Sequence, residues 1–229
     1  MISQATDFKM DLPDNGQVSA LLDRPADAWL LYVLAHGAGA GMRHRFMESI
    51  VRALSDRGVA TLRYQFPYME AGARRPDPSD VAEDTVRAAV ALAAELAGGI
   101  PVIAGGKSFG GRMTSRAAAK SLPGIRGLVF LGFPLHPPGK PGTQRADHLD
   151  SVEVPMLFLQ GTRDLFAQLD LLSTVCRRLG QRATLHPIDE GDHSFKVPKR
   201  TGRDSSAVID ELADIMVEWA GSSIGGPAR

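Results

Sequence analysis

Residues 101–113 read PVIAGGKSFGGRM, a short apolar run, two glycines, a serine and two further glycines ahead of a helical stretch. Within it Gly106-Lys107-Ser108-Phe109-Gly110 has the form G-x-S-x-G, which fits a sharp turn from a buried strand into a helix. A side chain at Gly106 or Gly110 would crowd the backbone passing close by, so both positions call for glycine. The turn puts Ser108 in a strained conformation, its hydroxyl projecting above a sheet. It also places Ser108 at a helix N-terminus, where unpaired N–H groups favour negative charge developing on a neighbouring oxygen.

Outward from this turn, strand-length apolar runs alternate with segments of helical period. Strands are expected at Gln17–Leu22 and Trp29–Ala35, the first antiparallel to the second, then in GVATLRYQFP, PVIAGGKS, IRGLVFLGF, VPMLFLQG and ATLHPID. Helices are expected over Phe46–Arg57, Asp80–Ala97, Gly110–Ser121, Leu165–Leu179 and Ser205–Trp219, with Gly98 and Gly180 where helix-stopping glycines belong. Strands apolar on both faces and separated by helices make an α/β protein, its mostly parallel sheet covered on both sides. In such sheets ligands collect at the carboxyl ends of the strands. Residues 1–221 are expected to form one domain and Ser222–Arg229 a disordered tail; the Pro- and Gly-rich loop from Pro134 to Val152 is expected to be irregular, as a surface loop or a pocket wall.

Three other loops follow strands and carry chemistry. His36-Gly37-Ala38-Gly39-Ala40-Gly41 follows Leu30–Ala35; with the N–H of Phe109, the N–H of Ala38 is assigned to an oxyanion hole, Gly37 and Gly39 being near alternatives. The same loop lacks G-x-G-x-x-G spacing and a Gly-Lys-Ser/Thr ending, which argues against a phosphate cradle. VPMLFLQG runs into Thr162-Arg163-Asp164, and ATLHPID into Glu190-Gly191-Asp192-His193-Ser194-Phe195. A serine needs a base and an orienting acid, so the reading is Ser108 as nucleophile, His193 as general base and Asp164 as acid. Asp164 could equally cap the helix starting near Leu165, and Asp192 or Glu190 could be the acid, although adjacent side chains such as Asp192 and His193 rarely face one another. What favours the triad is the joint occurrence of three suitable residues at three strand ends.

The remaining composition mostly excludes. The 26 basic and 26 acidic side chains cancel, leaving no overall field for nucleic acid or an anionic membrane. The start, MISQATDFKMDLPDN, alternates polar and apolar, and no apolar run approaches a membrane span, so a cytoplasmic location is expected. Cys176, the lone cysteine, sits in the amphipathic run LLSTVCRRL and reads as core filler. His44, His136, His148 and His186 lack metal-ligand spacing, so no metal or organic cofactor is expected, while His36 reads as an anchor of the glycine loop. Tyr64, Phe66 and Tyr68 read as packing. Lys107, Arg43, Arg45, Lys196, Lys199, Arg200 and Arg203 lie near the site in sequence, either as contacts for a charged acyl group or, the simpler reading, as solvated surface charges.

HGAGAG, GGKSFGG, LQGTRDLF and EGDHSF together resemble the α/β-hydrolase superfamily across nearly the whole chain, in particular its compact, lid-poor members related to dienelactone hydrolase. HGAGAGM, FPYMEAGARRPDP, GGKSFGGRM and FPLHPPGKP look more narrowly like the group containing the third subunit of the NSL chromatin complex and its small testis-expressed relatives. The resemblance implies an eight-stranded sheet with one antiparallel strand, and carries catalytic roles onto Ser108, Asp164 and His193. It departs from dienelactone hydrolases in having serine where they use cysteine. The expected activity is hydrolysis of an ester-type bond in a small acyl substrate through an acyl-enzyme; the alternative is a hydrolase fold kept as a protein-interaction module.

Overall fold

The computed structural model describes residues 5–13 and 16–226. Eight strands form one sheet: β1 (Thr6–Leu12), β2 (Gly16–Asp23), β3 (Leu30–Ala35), β4 (Val59–Tyr64), β5 (Val102–Lys107), β6 (Ile125–Leu131), β7 (Met156–Gly161) and β8 (Ala183–Ile188). Their spatial order is β1-β2-β4-β3-β5-β6-β7-β8, with β2 antiparallel to both neighbours and every other pairing parallel. The sheet has the expected eight strands with one of them antiparallel, and among the described residues no lid stands over the strand ends. The expected opposition of the segments around Gln17–Leu22 and Trp29–Ala35 holds in direction only. β2 pairs with β1 and β4, and β4 separates it from β3.

Among the described residues five α-helices lie between strands, α1 (Arg45–Ser55), α2 (Pro67–Glu70), α3 (Ser79–Leu96), α4 (Phe109–Lys120) and α5 (Leu169–Leu179), and α6 (Ser205–Ala220) follows β8. β3 shows why both faces need covering. Leu31, Val33 and Ala35 join a core built with α3, α4 and α5, whereas Leu30, Tyr32 and Leu34 join a second core built with α1 and α6. Alternate residues of a strand point to opposite faces, and all six here are buried, so a helix layer on each side is required.

Two expected boundaries move for identifiable reasons. The helix expected from Leu165 begins at Leu169 because residues 166–168 spend their backbone groups elsewhere: Phe166 N–H donates to the Asp164 carboxylate, Phe166 C=O accepts from His136 N–H, and Gln168 N–H donates to His136 Nε2. The loop from Pro134 contains a 3-10 helix, Gln144–Ser151, that buries Ala146 and Leu149 between α4 and α5. At the carboxyl end, Gly221–Gly225 continues α6 as a wide π turn with Ile224 against the second core, where an unstructured tail was expected; residues 227–229 of that tail lie outside the described residues. Among the described residues no helix is long and apolar enough to cross a membrane.

The parallel register aligns the strand ends that matter. Ala35 is level with Gly106 and Tyr64, Lys107 with Leu131, Leu131 with Leu159, and Gly161 with Ile188. The loops leaving β3, β5, β7 and β8 therefore emerge on one edge of the sheet.

Candidate active site

Ser108 links β5 to α4 with φ 49° and ψ −113°, a region a side chain rarely occupies. The glycines around it are sterically required. A Cβ on Gly106 would lie 2.3 Å from the Ala35 carbonyl oxygen, and one on Gly110 would lie 2.5 Å from that of His36. The turn thus presses against the end of β3 and the start of the glycine loop, and a Cβ on Gly37 would sit 3.8 Å from Ser108 Cβ.

Three strand ends deliver one hydrogen-bonded line. Ser108 Oγ lies 2.8 Å from His193 Nε2, and His193 Nδ1 lies 2.7 Å from Asp164 Oδ2. A carboxylate can only accept, so Nδ1 carries the imidazole proton, which leaves Nε2 to accept the Ser108 hydroxyl. The Asp164 side chain is fully buried, while that of His193 is 21% exposed. Asp164 Oδ2 also accepts from Gln160 Nε2 at 2.5 Å, and its Oδ1 accepts the N–H of Phe166 at 2.8 Å.

The competing roles fall away on geometry. Asp164 does not cap α5, whose N-cap residue is Gln168. Asp192 turns its Oδ1 to the N–H groups of Ser194 and Lys196, at 2.7 and 2.9 Å, and so shapes the loop instead of facing the imidazole. Glu190 pairs with Arg200 at 2.6 Å, and with Arg163 at 3.6 Å. The loop bearing His193 is bent tightly, with Glu190 and Phe195 at φ 56° and 60°.

The glycine loop is set by His36. Its Nδ1 bonds the Gly37 carbonyl at 2.9 Å and its Nε2 accepts the N–H of Phe66 at 3.1 Å, so only the neutral Nδ1–H ring satisfies both. Burial, partly offset by the Gly37 carbonyl, pushes its pKa down to about 4. Gly39 N–H donates to the Tyr68 hydroxyl at 3.3 Å, which removes Gly39 as an oxyanion donor. The N–H groups of Ala38 and Phe109 have no hydrogen-bond partner among the described residues. Tyr64, Phe66 and Tyr68 are buried, in keeping with packing. Cys176 is buried too, its thiol pushed up to about 12 by desolvation.

Lys107 lines the recess beside Ser108 and is not a solvated surface charge. Its ammonium turns inward, donates to the His193 carbonyl at 2.6 Å and lies 5.5 Å from the centre of the Phe195 ring. The other nearby cations include surface ion pairs, Arg43 with Asp7, Arg200 with Glu190 and Arg203 with Glu211. Sequence reasoning also passed over Gln160, a polar residue interrupting the apolar run of β7 four positions before Asp164, and Phe166, whose ring centroid is 4.3 Å from that of His193.

A recess of about 220 Å³ opens over Ser108, walled by Ala38, Ala40, His44, Phe46 and Met47. An open groove of about 850 Å³ runs along the Thr162–Asp170 loop and shares His193 and Ser194 with the recess. Among the described residues, no group of three or more His, Cys, Asp or Glu side chains could hold a metal ion.

The sequence profile of the alpha/beta hydrolase domain matches residues 28–221. The fold is similar to that of an α/β serine hydrolase without a lid from Xanthomonas campestris, with a TM-score of 0.75, 21% identity and coverage of 100% of this chain and 98% of that one. It is similar to a dienelactone hydrolase from Anabaena variabilis, with a TM-score of 0.78 at 18% identity over 96% and 98% of the two chains. An esterase domain from Rhodothermus marinus gives a TM-score of 0.72 at 18% identity over 97% and 100%.

Proposed function

Because the chain belongs to the alpha/beta hydrolase family, we propose that it is a serine hydrolase cleaving an ester-type bond, carboxylester or thioester, through an acyl-enzyme on Ser108. The observation that carries this reading is the continuous line from Ser108 Oγ through His193 to Asp164, with spacings of 2.8 and 2.7 Å. Neighbours described as a serine hydrolase and an esterase support hydrolysis at the level of the fold.

His193 Nε2 takes the Ser108 proton as Oγ bonds to the carbonyl carbon. The carbonyl oxygen becomes an oxyanion held by the N–H groups of Ala38 and Phe109, each such donor contributing roughly a hundred- to a thousandfold in rate. The bond to the leaving oxygen or sulfur then breaks, and that atom takes the proton from His193. Water repeats the sequence in reverse order, its proton passing to His193 as its oxygen displaces Ser108. Asp164 fixes the tautomer and stabilises the imidazolium; Gln160 and the Phe166 N–H hold the carboxylate in place.

The test is labelling by a fluorophosphonate probe together with hydrolysis of short p-nitrophenyl esters, for the native protein, Ser108→Ala and His193→Ala. Labelling and turnover in the native protein, lost in both variants, are the expected result. A folded native protein that takes no label would overturn the reading and bring the interaction-module alternative forward.

A further inference from the structure

We propose that the site is divided between a small acyl recess and an open leaving-group groove, which makes short-chain acyl esters of bulky, apolar alcohols its substrate class. The proposal rests on the serine hydrolase reading.

Chemistry fixes which part of an ester lies on which side. The leaving oxygen must receive its proton from His193 Nε2, so the alcohol lies toward His193 and the loop beyond it. The oxyanion points at Ala38 and Phe109. The acyl chain is left with the part of the recess lined by Ala40, His44, Phe46 and Met47; Lys107, His193 and Ser194 line the same recess.

The two spaces differ in size in the direction the proposal needs. The recess, at about 220 Å³, leaves room for a short acyl chain beside the reacting carbonyl. Met47, only 1% exposed, is part of the recess wall. The groove, at about 850 Å³, is in the range that accommodates a drug-sized group.

The groove's lining sets three large apolar side chains, Leu165, Phe166 and Leu169, among polar ones that include Thr162, Arg163, Asp170 and Asp192. Leu165, 73% exposed, is the one exposed large hydrophobic side chain among the described residues. A lone exposed leucine is ordinary on a protein surface. This one follows the buried Asp164 directly and lines the groove with Leu169 and with Phe166, whose ring packs on His193. On the His193 side an apolar alcohol has the Phe166 ring against His193 and the two leucines in the same groove lining.

The experiment uses two matched ester series with the full chain. At fixed acetyl, the alcohol is varied from ethanol to 2-phenylethanol; at fixed 2-phenylethyl, the acyl chain is varied through acetyl, hexanoyl and decanoyl. We expect kcat/KM to rise at least about tenfold from ethyl to 2-phenylethyl acetate, and to fall at least about tenfold from hexanoyl to decanoyl. Leu165→Asp, at a site exposed enough to leave the fold intact, lowers the ratio of kcat/KM for 2-phenylethyl over ethyl acetate about fivefold. Fluorophosphonate labelling of Ser108 with a flat or reversed order in either series, or with none of these esters turned over, overturns this proposal alone. Absence of both labelling and turnover overturns it together with the serine hydrolase reading.

Discussion

The Lys107 ammonium donates to the main-chain oxygen of His193 at 2.6 Å, so the residue before Ser108 holds the residue whose imidazole bonds to Ser108. Desolvation pulls the Lys107 pKa down to about 8, against the opposing pull of the Asp164 and Asp192 carboxylates. Beside it lie the Phe195 ring and the main chain at Gly132, where a Cβ would come within 3.1 Å of Nζ. One cation thus ties together the ends of β5 and β8.

Lys107→Met keeps an apolar stem of similar length and removes the donor. Hydrogen bonds from charged groups contribute about 1.5–3 kcal/mol, so kcat is expected to fall roughly ten- to a hundredfold with a smaller change in KM. Circular dichroism checks that the fold is retained. An unchanged kcat would mean that the His193 loop needs no such tie.

The same residue gives activity and stability opposite responses to alkali. Native kcat is expected to fall as pH rises through about 8, where the ammonium loses its proton; this limb is absent from Lys107→Met. The folded pKa of about 8 lies below the ordinary 10.5, so between those values the unfolded chain binds more protons. Lys107 therefore makes stability rise with pH across that window. Rate profiles and denaturant unfolding at pH 7.5, 8.5 and 9.5 on both proteins check the two signs.

Asp164→Asn and Asp192→Asn separate the orienting acid from the loop-shaping one. The first leaves His193 in the wrong tautomer and is expected to cost about a thousand- to ten-thousandfold in kcat. The second weakens bonds to Ser194 and Lys196 N–H and is expected to cost about tenfold, with a loss of about 1 kcal/mol in stability. Steady-state kinetics decide, and comparable losses would deny Asp164 its role.

His36 sets an acid limit. Its folded pKa, about 4 by burial, lies below the ordinary 6.5, so the stability it contributes is fully present above 6.5 and is lost as pH falls toward 4. His148, also pushed down to about 4, chiefly by burial and then by Arg112 and Arg116, acts in the same window. Unfolding at pH 7, 5.5 and 4.5 is expected to show a decline that is shallower in His36→Gln, with His148 supplying the remainder.

Gly106→Ala and Gly39→Ala contrast collision with conformational strain alone. The first drives a methyl to 2.3 Å from the Ala35 oxygen and is expected to cost 4 kcal/mol or more, roughly the upper end for point changes. The second adds a methyl to open space at φ 75° and is expected to cost about 1–2 kcal/mol. Denaturant unfolding ranks them.

What could be read from the sequence followed its periodicity. β3 and β5 to β7 are apolar runs buried on both faces, and their signal needs no partner to be seen. β1 was missed because TDFKMDL buries only Met10 and Leu12 among polar neighbours, as an edge strand does. The meeting of Ser108, Asp164 and His193 at one edge of the sheet was legible because each lies in a loop that follows a strand. The inward turn of Lys107 was not, since a lysine beside a loop looks the same in sequence whether its ammonium meets water or a carbonyl. The late start of α5 was equally hidden: Leu165 and Leu169 fit one helical stripe, and the Asp164 carboxylate together with His136, some thirty positions earlier, diverts the backbone between them.

The unusual backbone at Ser108 sets folding against the proposed reactivity at a single residue. Holding a side chain at φ 49° costs about 1–3 kcal/mol, a cost that glycine would largely escape. Any engineering campaign that ranks variants by heat resistance alone would therefore reward loss of the hydroxyl at that position. Stabilising this protein without silencing it means screening for turnover at every round.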